Sequence, residues 1–587
     1  MRCGPLRTFS CLLLALVSVL LSTSLQAAKQ PNIVLIVVDD MGWADLGSYG
    51  SEISTPYLDQ LAAAGLTMSH FRVAPTCSPT RSMLLTGVDS HAAGLGTMDL
   101  LQTPNQLGNV NYAGELHNGV VTVAEALSSA GYYTVMAGKW HLGLQASQFP
   151  HARGFQRSFT LLQGGASHFD DRLSLHQGYR VDYLEDGNEI ELAEDFYSTI
   201  SYTDKIIQFL DQADPGRPFF AYLAHTAPHD PLQVPDAWLD RYRGIYDDGP
   251  DAVRAARIQR QQALGLTPID IQHSTLLRFP SWTPMARQPW AQRCAQQRAA
   301  DVRAMEIYAA MIEIVDQQVG RLIAYLDERD MLDNTFVIFM SDNGANAATP
   351  LTYPNTARAW YQTERSQEPQ QAGRPGSQVF QGSEWAAVSN APFRIFKGTP
   401  AVGGIRVPFI VSGPGILKGT RTSWPGYATD ITPTFLELAG VAPETSTLFD
   451  DKLLPTGESL VANWQGGQKD SDRTVAMELF GSRAVFTDPY KAVNIERPLG
   501  SSAWELYNLQ TDPGETNDLR VDRPDVLASL VSDYERYSLR NGIIIPEPAP
   551  MPSAAALYAG PCNWWCETRL WFVDVLITLY SYVPSKE

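Results

Sequence analysis

The stretch Asn32-Ile33-Val34-Leu35-Ile36-Val37-Val38-Asp39-Asp40-Met41-Gly42-Trp43 passes without transition from an apolar, β-branched run to two adjacent carboxylates and a glycine. A continuous rather than alternating apolar run describes a strand covered on both faces, as in a parallel sheet. Carboxylates at the C-terminal edge of such a strand stand where α/β proteins place their sites. Most lone Asp-Asp pairs are solvated turns; the abrupt change after Val38 favours a metal site. A second run, Thr335 to Ser341, ends in Asp342-Asn343-Gly344. Two buried strands delivering carboxylate or amide oxygens at one edge suit a hard cation such as Ca²⁺. The segment before it, Ala300 to Arg329, carries Met305, Tyr308, Met311, Ile312, Val315, Val319 and Leu322 at helical spacing, so helix and strand alternate.

Between these runs lie the basic and imidazole groups. Val123 to Ala130 is predicted as a helix, and Tyr132 to Ala137 as a strand running into Gly138-Lys139-Trp140-His141-Leu142-Gly143. Lys139 and His141, two apart, point the same way in an extended segment. The strand Pro218 to Ala224 ends in His225, followed by Ala227-Pro228-His229. Four strand ends thus converge on carboxylates, cations and imidazoles. Cys77-Ser78-Pro79-Thr80-Arg81 precedes an apolar run that reads as a helix. A cysteine near a helix N-terminus is electrostatically activated; a buried free cysteine is the alternative reading. Residues 347 to 390, rich in Gln, Ser, Gly and Pro without clear period, read as a long loop. Neither this loop nor the insertion from Asp251 to Ala299 carries a readable pocket. Arg394-Ile395-Phe396-Lys397, Gly403-Gly404-Ile405-Arg406 and a helix from Thr429 to Ala439 follow. Beyond roughly residue 455, short strands at Thr474 to Glu478 and Ala484 to Phe486 and a helix at Pro524 to Tyr537 describe a smaller α+β unit.

The 587 residues exceed one ordinary core. The boundaries expected are 1–28 for a signal peptide, 29–455 for a catalytic domain, 456–545 for a C-terminal subdomain and 546–587 for a Pro-rich linker and apolar tail. A net charge of −19 argues against nucleic acid or an anionic membrane as partner, so an anionic substrate needs a local cationic pocket. Arg2 and Arg7, the apolar run Cys11 to Leu21 and the small residues up to Ala28 form a secretory signal; an uncleaved anchor is the alternative, but the run is shorter than the roughly 20 residues a spanning helix needs, so export to the periplasm or beyond is predicted. The mature chain keeps Cys77, Cys294, Cys562 and Cys566; a Cys562–Cys566 pair and two free thiols are both open. In the tail, Leu570 to Val583 is mostly apolar, with Glu567, Asp574, Thr578 and Ser581 on one stripe if helical. Such a helix, roughly 21 Å long, is too short to span a membrane. Docking on the protein is favoured over a membrane-surface helix because the stripe lacks Lys and Arg; Trp564, Trp565 and Trp571 keep the membrane alternative open.

The run Cys77-Ser78-Pro79-Thr80-Arg81-Ser82-Met83-Leu84-Leu85-Thr86-Gly87 resembles the signature of the type I sulfatases. V-V-D-D-M-G-W, G-K-W-H-L-G, A-P-H-D-P-L, S-D-N-G, G-G-I-R-V-P-F and the late L-Y-N-L-Q-T-D-P-G-E-T-N-D-L resemble them as well, from about Asn32 to about Tyr537, and A-R-G-F-Q-R-S-F-T-L-L is most similar to bacterial secreted arylsulfatases. The resemblance implies an α/β fold of the alkaline-phosphatase-like superfamily: an α/β/α sandwich around a large mixed sheet, with a smaller C-terminal α+β subdomain built on an antiparallel sheet. It implies that a maturation enzyme oxidises Cys77 to formylglycine (3-oxoalanine), and that one Ca²⁺ is held by Asp39, Asp40, Asp342, Asn343 and modified Cys77. A sulfate monoester is an anion that repels nucleophiles, so metal and fixed cations, here Arg81, Lys139 and Lys397, must bind it. In the family mechanism a hydroxyl of the hydrated aldehyde attacks sulfur with help from Asp342, and His229, with Lys397 nearby, assists the leaving group. A sulfate hemiacetal results, from which His141 takes the proton that expels sulfate. The implied substrates are aryl sulfates above all, as a small-molecule or glycan sulfate ester. A phosphonate monoester or phosphodiester hydrolase, and an unconverted, silent binding protein, are the alternatives. Two places depart from the pattern: Thr487-Asp488-Pro489-Tyr490-Lys491 stands where many relatives carry G-D-W-K, and His225 stands where they often have an apolar or aromatic residue.

Overall fold

The computed structural model describes residues 30–177, 180–268, 289–348, 353, 369–467 and 473–547. The signal peptide, the apolar tail and the Cys562/Cys566 question lie outside the described residues.

The opening run is β1 (Asn32–Val38), with every residue buried. It belongs to a ten-stranded sheet with β2 (Leu66–Arg72), β3 (Tyr133–Lys139), β4 (Arg157–Leu161), β5 (Tyr183–Glu185), β6 (Asn188–Glu189), β7 (Phe219–Ala224), β8 (Thr335–Ser341), β9 (Phe409–Ser412) and β10 (Thr420–Tyr427). The order is β10-β2-β9-β8-β1-β7-β3-β4-β5-β6. β1 runs parallel to β8 and to β7, and β7 parallel to β3, with Val38 level with Ser341 and Val37 level with Ala224. Antiparallel β9 and the β5–β6 pair make the sheet mixed.

Helices cover both faces, which is why β1 is apolar throughout. Val34, Ile36 and Val38 pack among residues of α1 (Pro56–Ala64), while Ile33, Leu35 and Val37 pack with α2 (Cys77–Thr86) and α3 (Val123–Ser129). α4 (Ser198–Asp211), α5 (Pro250–Ala263) and the long α6 (Ala295–Glu328) join the first face. The long loop expected between residues 347 and 390 is in part helical, since α7 (Ser383–Ser389) buries Trp385, Ala386 and Val388. Seven residues are too few to show a helical period. α8 (Ile431–Ala439) completes the second face.

The smaller unit is an antiparallel sheet of β11 (Val475–Leu479), β12 (Ser482–Thr487), β13 (Tyr490–Asn494) and β14 (Glu505–Asn508), in that order. α9 (Pro524–Arg540) lays Leu530, Tyr534 and Tyr537 on Ala476, Val485, Ala492 and Leu506. One bond was not anticipated from spacing: Cys294 is disulfide-bonded. Among the described residues no helix is long and apolar enough to cross a membrane.

Candidate active site

The adjacent strands β8, β1, β7 and β3 deliver their C-terminal ends side by side. Asp39 and Asp40 follow β1, Asp342 and Asn343 follow β8, His229 lies in the loop after β7, and Lys139 closes β3. Cys77 is the first residue of α2 and Arg81 lies one turn on. Asp39, Asp40, Cys77, Arg81, Lys139, His229, Asp342 and Asn343 are all buried.

Each cation lies on a carboxylate. Lys139 Nζ donates to Asp39 Oδ2 at 2.6 Å, Arg81 Nε to Asp342 Oδ2 at 2.9 Å, and Lys397 Nζ to Asp40 Oδ1 at 2.6 Å. The Cys77 thiol donates to Asp39 Oδ1 at 3.2 Å and receives Lys397 Nζ at 3.1 Å. Burial opposes ionisation of Asp39, but Lys139, His229 and Arg81 outweigh it and hold this carboxyl well below its ordinary value. Asp342, desolvated and facing Asp39, is pushed up to about 7 despite Arg81. Desolvation lowers His229; Asp40 and Asp39 oppose the shift. Its Nδ1 donates to the Asp230 carbonyl at 2.8 Å, which leaves Nε2 facing Asp40 Oδ2 at 3.4 Å.

Two expectations from sequence are corrected. The thiol is not activated by its place at the start of α2: burial, and then the Asp39 carboxylate, push it up, because desolvation outweighs the helix terminus. Lys139 and His141 do not share one extended segment either, since His141 sits in the left-handed region at φ 59°. Its ring reaches the same neighbourhood by that turn, and desolvation followed by Lys139 and Arg81 hold it well below its ordinary value. His225, which carried no role, is a core residue: its ring lies beside Tyr202 at 6.5 Å, and burial pushes it down to about 3.

Sequence reasoning passed over several supports. A Cβ on Gly164 would stand 2.5 Å from the His141 ring, and one on Gly165 3.0 Å from the His229 ring, so both imidazoles require the bare backbone of Gly164-Gly165. The Gly-Gly pair was the available signal. His168 Nε2 donates to the His229 carbonyl at 3.0 Å, and Asp45 and Tyr308 brace the turn at Asp40; nothing local marks these residues.

The oxygen donors fit a hard cation. Atoms of Asp39, Asp40, Cys77 and His229 lie within 4.8 Å of one another. Asp40 Oδ2 and Asn343 Oδ1 are buried without a hydrogen-bond partner, a costly state that a cation would relieve. Asp342 turns one oxygen to Arg81 and the other to the Asp40 amide at 3.3 Å. The carboxylates of Asp39, Asp40 and Asp342 balance the charges of Arg81, Lys139 and Lys397, so a divalent cation would leave the site electropositive, as a tetrahedral anionic ester demands.

Comparison with known proteins agrees. The sulfatase family model matches residues 31–441. An uncharacterized sulfatase of Schizosaccharomyces pombe is 38% identical over 538 residues, 88% of this chain and 95% of the relative. An arylsulfatase of Klebsiella aerogenes is 38% identical over 454 residues, 76% of this chain and 95% of the relative. The crystal structure of Ps i-CgsB in complex with k-i-k-neocarrahexaose superposes with a TM-score of 0.62 at 24% identity, covering 93% of this chain and 98% of that one. The chain belongs to the sulfatase family. Its two sheets accordingly form the alkaline-phosphatase-like α/β fold with a small C-terminal antiparallel sheet, and its activity is the hydrolysis of sulfate esters.

Proposed function

We propose that this sulfatase is exported and acts on aryl sulfates, with Cys77 carried as formylglycine after oxidation by a maturation enzyme. The observation that carries the reading is the seat of Cys77, enclosed between Asp39 Oδ1 at 3.2 Å and Lys397 Nζ at 3.1 Å, where a protonated thiol is a poor nucleophile. Formylglycine at this position would supply a hydroxyl in place of the thiol. Asp39, Asp40, Asp342 and Asn343, with residue 77, would hold one Ca²⁺, whose charge helps to bind the sulfate oxygens.

Arg81 and Lys139, which donate to Asp342 and Asp39, are assigned the sulfate oxygens as well. Asp342, pushed up to about 7, is suited to accept a proton from an attacking hydroxyl. His141, held neutral by desolvation and by Lys139, is suited to accept the second proton. Nε2 of His229 and Nζ of Lys397 both face Asp40, on the side assigned here to the leaving oxygen. The aryl preference takes support from the arylsulfatase relative. The division into a catalytic domain to residue 455 and a subdomain from 456 to 545 belongs to the same reading.

Mass spectrometry of the peptide spanning Cys77 tests the first step: conversion to the aldehyde lowers the mass and removes the thiol. A screen of the purified protein against aryl, alkyl and sugar sulfates and a phenyl phosphonate tests the second. Preferred cleavage of the phosphonate, or an unconverted cysteine in active enzyme, refutes the proposal.

A further inference from the structure

A half-buried tyrosine ring stands beside His229, with two more half-buried rings around it. The Tyr353 ring centroid lies 6.5 Å from that of His229, 5.8 Å from His176 at an interplanar angle of 84°, and 6.1 Å from Phe380. Tyr353, His176 and Phe380 each keep part of their surface open, unlike rings closed into the core. Tyr353 is held in place. Its hydroxyl donates to Asp230 Oδ2 at 3.1 Å, and Asn346 Nδ2 donates to the same oxygen at 3.0 Å. Asp230 is only 2% exposed, and burial, followed by the charge of Asp40, raises its carboxyl well above the ordinary value. The main-chain carbonyl of Asp230 accepts from His229 Nδ1 at 2.8 Å. One residue therefore orients both the imidazole assigned to the departing oxygen and the ring beside it. The ring borders the site through His229, whose Nε2 faces Asp40 Oδ2 at 3.4 Å.

We propose that Tyr353, oriented by Asp230 and Asn346 and flanked by His176 and Phe380, forms the leaving-group subsite and accepts a flat, uncharged ring, which makes it the residue that separates aryl from alkyl sulfates. The inference rests on the sulfate-ester reading above. An aromatic pair contributes about 0.5–1.5 kcal/mol beyond the area it buries, roughly a tenfold effect at the upper end.

The test uses the full-length, converted enzyme with 4-nitrophenyl sulfate, ethyl sulfate and a hexose 6-sulfate. Tyr353→Ala raises KM for the aryl ester about tenfold and that for ethyl sulfate by less than about threefold. Tyr353→Phe, which keeps the ring and loses the hydrogen bond to Asp230, stays within about threefold of the parent on the aryl ester. Phe380→Ala supplies a second readout in the same direction, and thermal melting of each variant identifies any that fails to fold. Equal losses on all three esters assign Tyr353 a structural role and overturn the proposal. So does a loss confined to the hexose ester, which makes the subsite a sugar site, or the absence of any loss on the aryl ester. A parent enzyme that is converted yet cleaves none of the three refutes the underlying reading instead, and is recognised before any variant is made.

Discussion

Cys77 touches Asp39 and Lys397 through one sulfur and occupies little of the core, so its chemistry and its packing can be separated. Cys77→Ala should abolish turnover while the melting temperature stays close to the parent's; retained sulfatase activity would refute the nucleophile assignment. Each cation is one of several assigned to the sulfate, whereas Asp342 is assigned two roles. Lys139→Ala removes one donor and should raise the barrier by about 2.7–4 kcal/mol, by analogy with the loss of an oxyanion donor. Asp342→Ala should cost more, since Asp342 pairs with Arg81, meets the Asp40 amide and is assigned both metal binding and proton removal. Comparison of kcat/KM for the two variants on one aryl sulfate decides the order. His229→Ala should slow alkyl sulfates more than activated aryl sulfates, because a poor leaving group depends most on help at the departing oxygen.

The turn after β1 is the element on which the site depends most, and its support comes from far along the chain. Asp40 adopts a left-handed φ of 68°, a costly state for a residue with a side chain, so its surroundings must impose it. Asp45 Oδ2 accepts from the Gly42 amide at 2.9 Å and from the Tyr308 hydroxyl at 2.7 Å, and that hydroxyl stands 3.2 Å from the Asp40 carbonyl. Arg257, wholly buried on α5, closes the network on Asp45 Oδ1 at 2.6 Å and on Glu52 at 2.7 Å. The insertion that carried no readable pocket thus supplies a brace for the carboxylate turn. Its helix buries Arg254, Arg257 and Gln261 together with Val253 and Ile258. Arg257→Met leaves the buried Asp45 carboxylate without its cation and should destabilise the fold by about 3–5 kcal/mol. Chemical denaturation measures this, and an unchanged midpoint would show that Asp45 does not need the arginine.

At the scale of the molecule, the small sheet holds the segment that carries Lys397. Glu515 Oε2 accepts from Arg394 Nε and from the Val402 amide, each at 3.0 Å, and Glu515 Oε1 pairs with Lys491 at 2.6 Å. The departure from the family's G-D-W-K turn lies at this seam: Asp488 takes Arg72 at 2.8 Å, and Lys491 reaches both Glu515 and the Pro400 carbonyl. A second clasp is His91, whose ring joins Asp89 at 3.1 Å and Glu478 of β11 at 3.0 Å. Burial opposes its charge, but the hydrogen bonds to Asp89 and Glu478 prevail and push it up to about 9. A folded value above the unfolded one, about 6.5, stabilises the fold fully below that pH and progressively less as pH rises through about 9. The melting temperature should therefore fall between pH 7 and 10, and His91→Gln should flatten that fall; an unaltered slope would show that the clasp does not titrate.

The sequence by itself determined the central strands and the charge at their ends. Burial on both faces demands an unbroken apolar run, and only a strand end can then return carboxylates to the surface of the sheet, as at Val38-Asp39 and Ser341-Asp342. It also brought Cys77, Arg81, Lys139, His141, His229 and Lys397 forward as site residues through short motifs. Tertiary structure alone decided what those residues are to one another. Lys397 meets Asp40 across 357 positions, Arg257 meets Asp45 across 212, and Tyr353 meets Asp230 across 123. The protonation of Cys77 and Asp342 likewise depends on desolvation and on neighbours brought together by folding. A local pattern records which face of an element is buried; it carries no record of which distant charge will be buried against it.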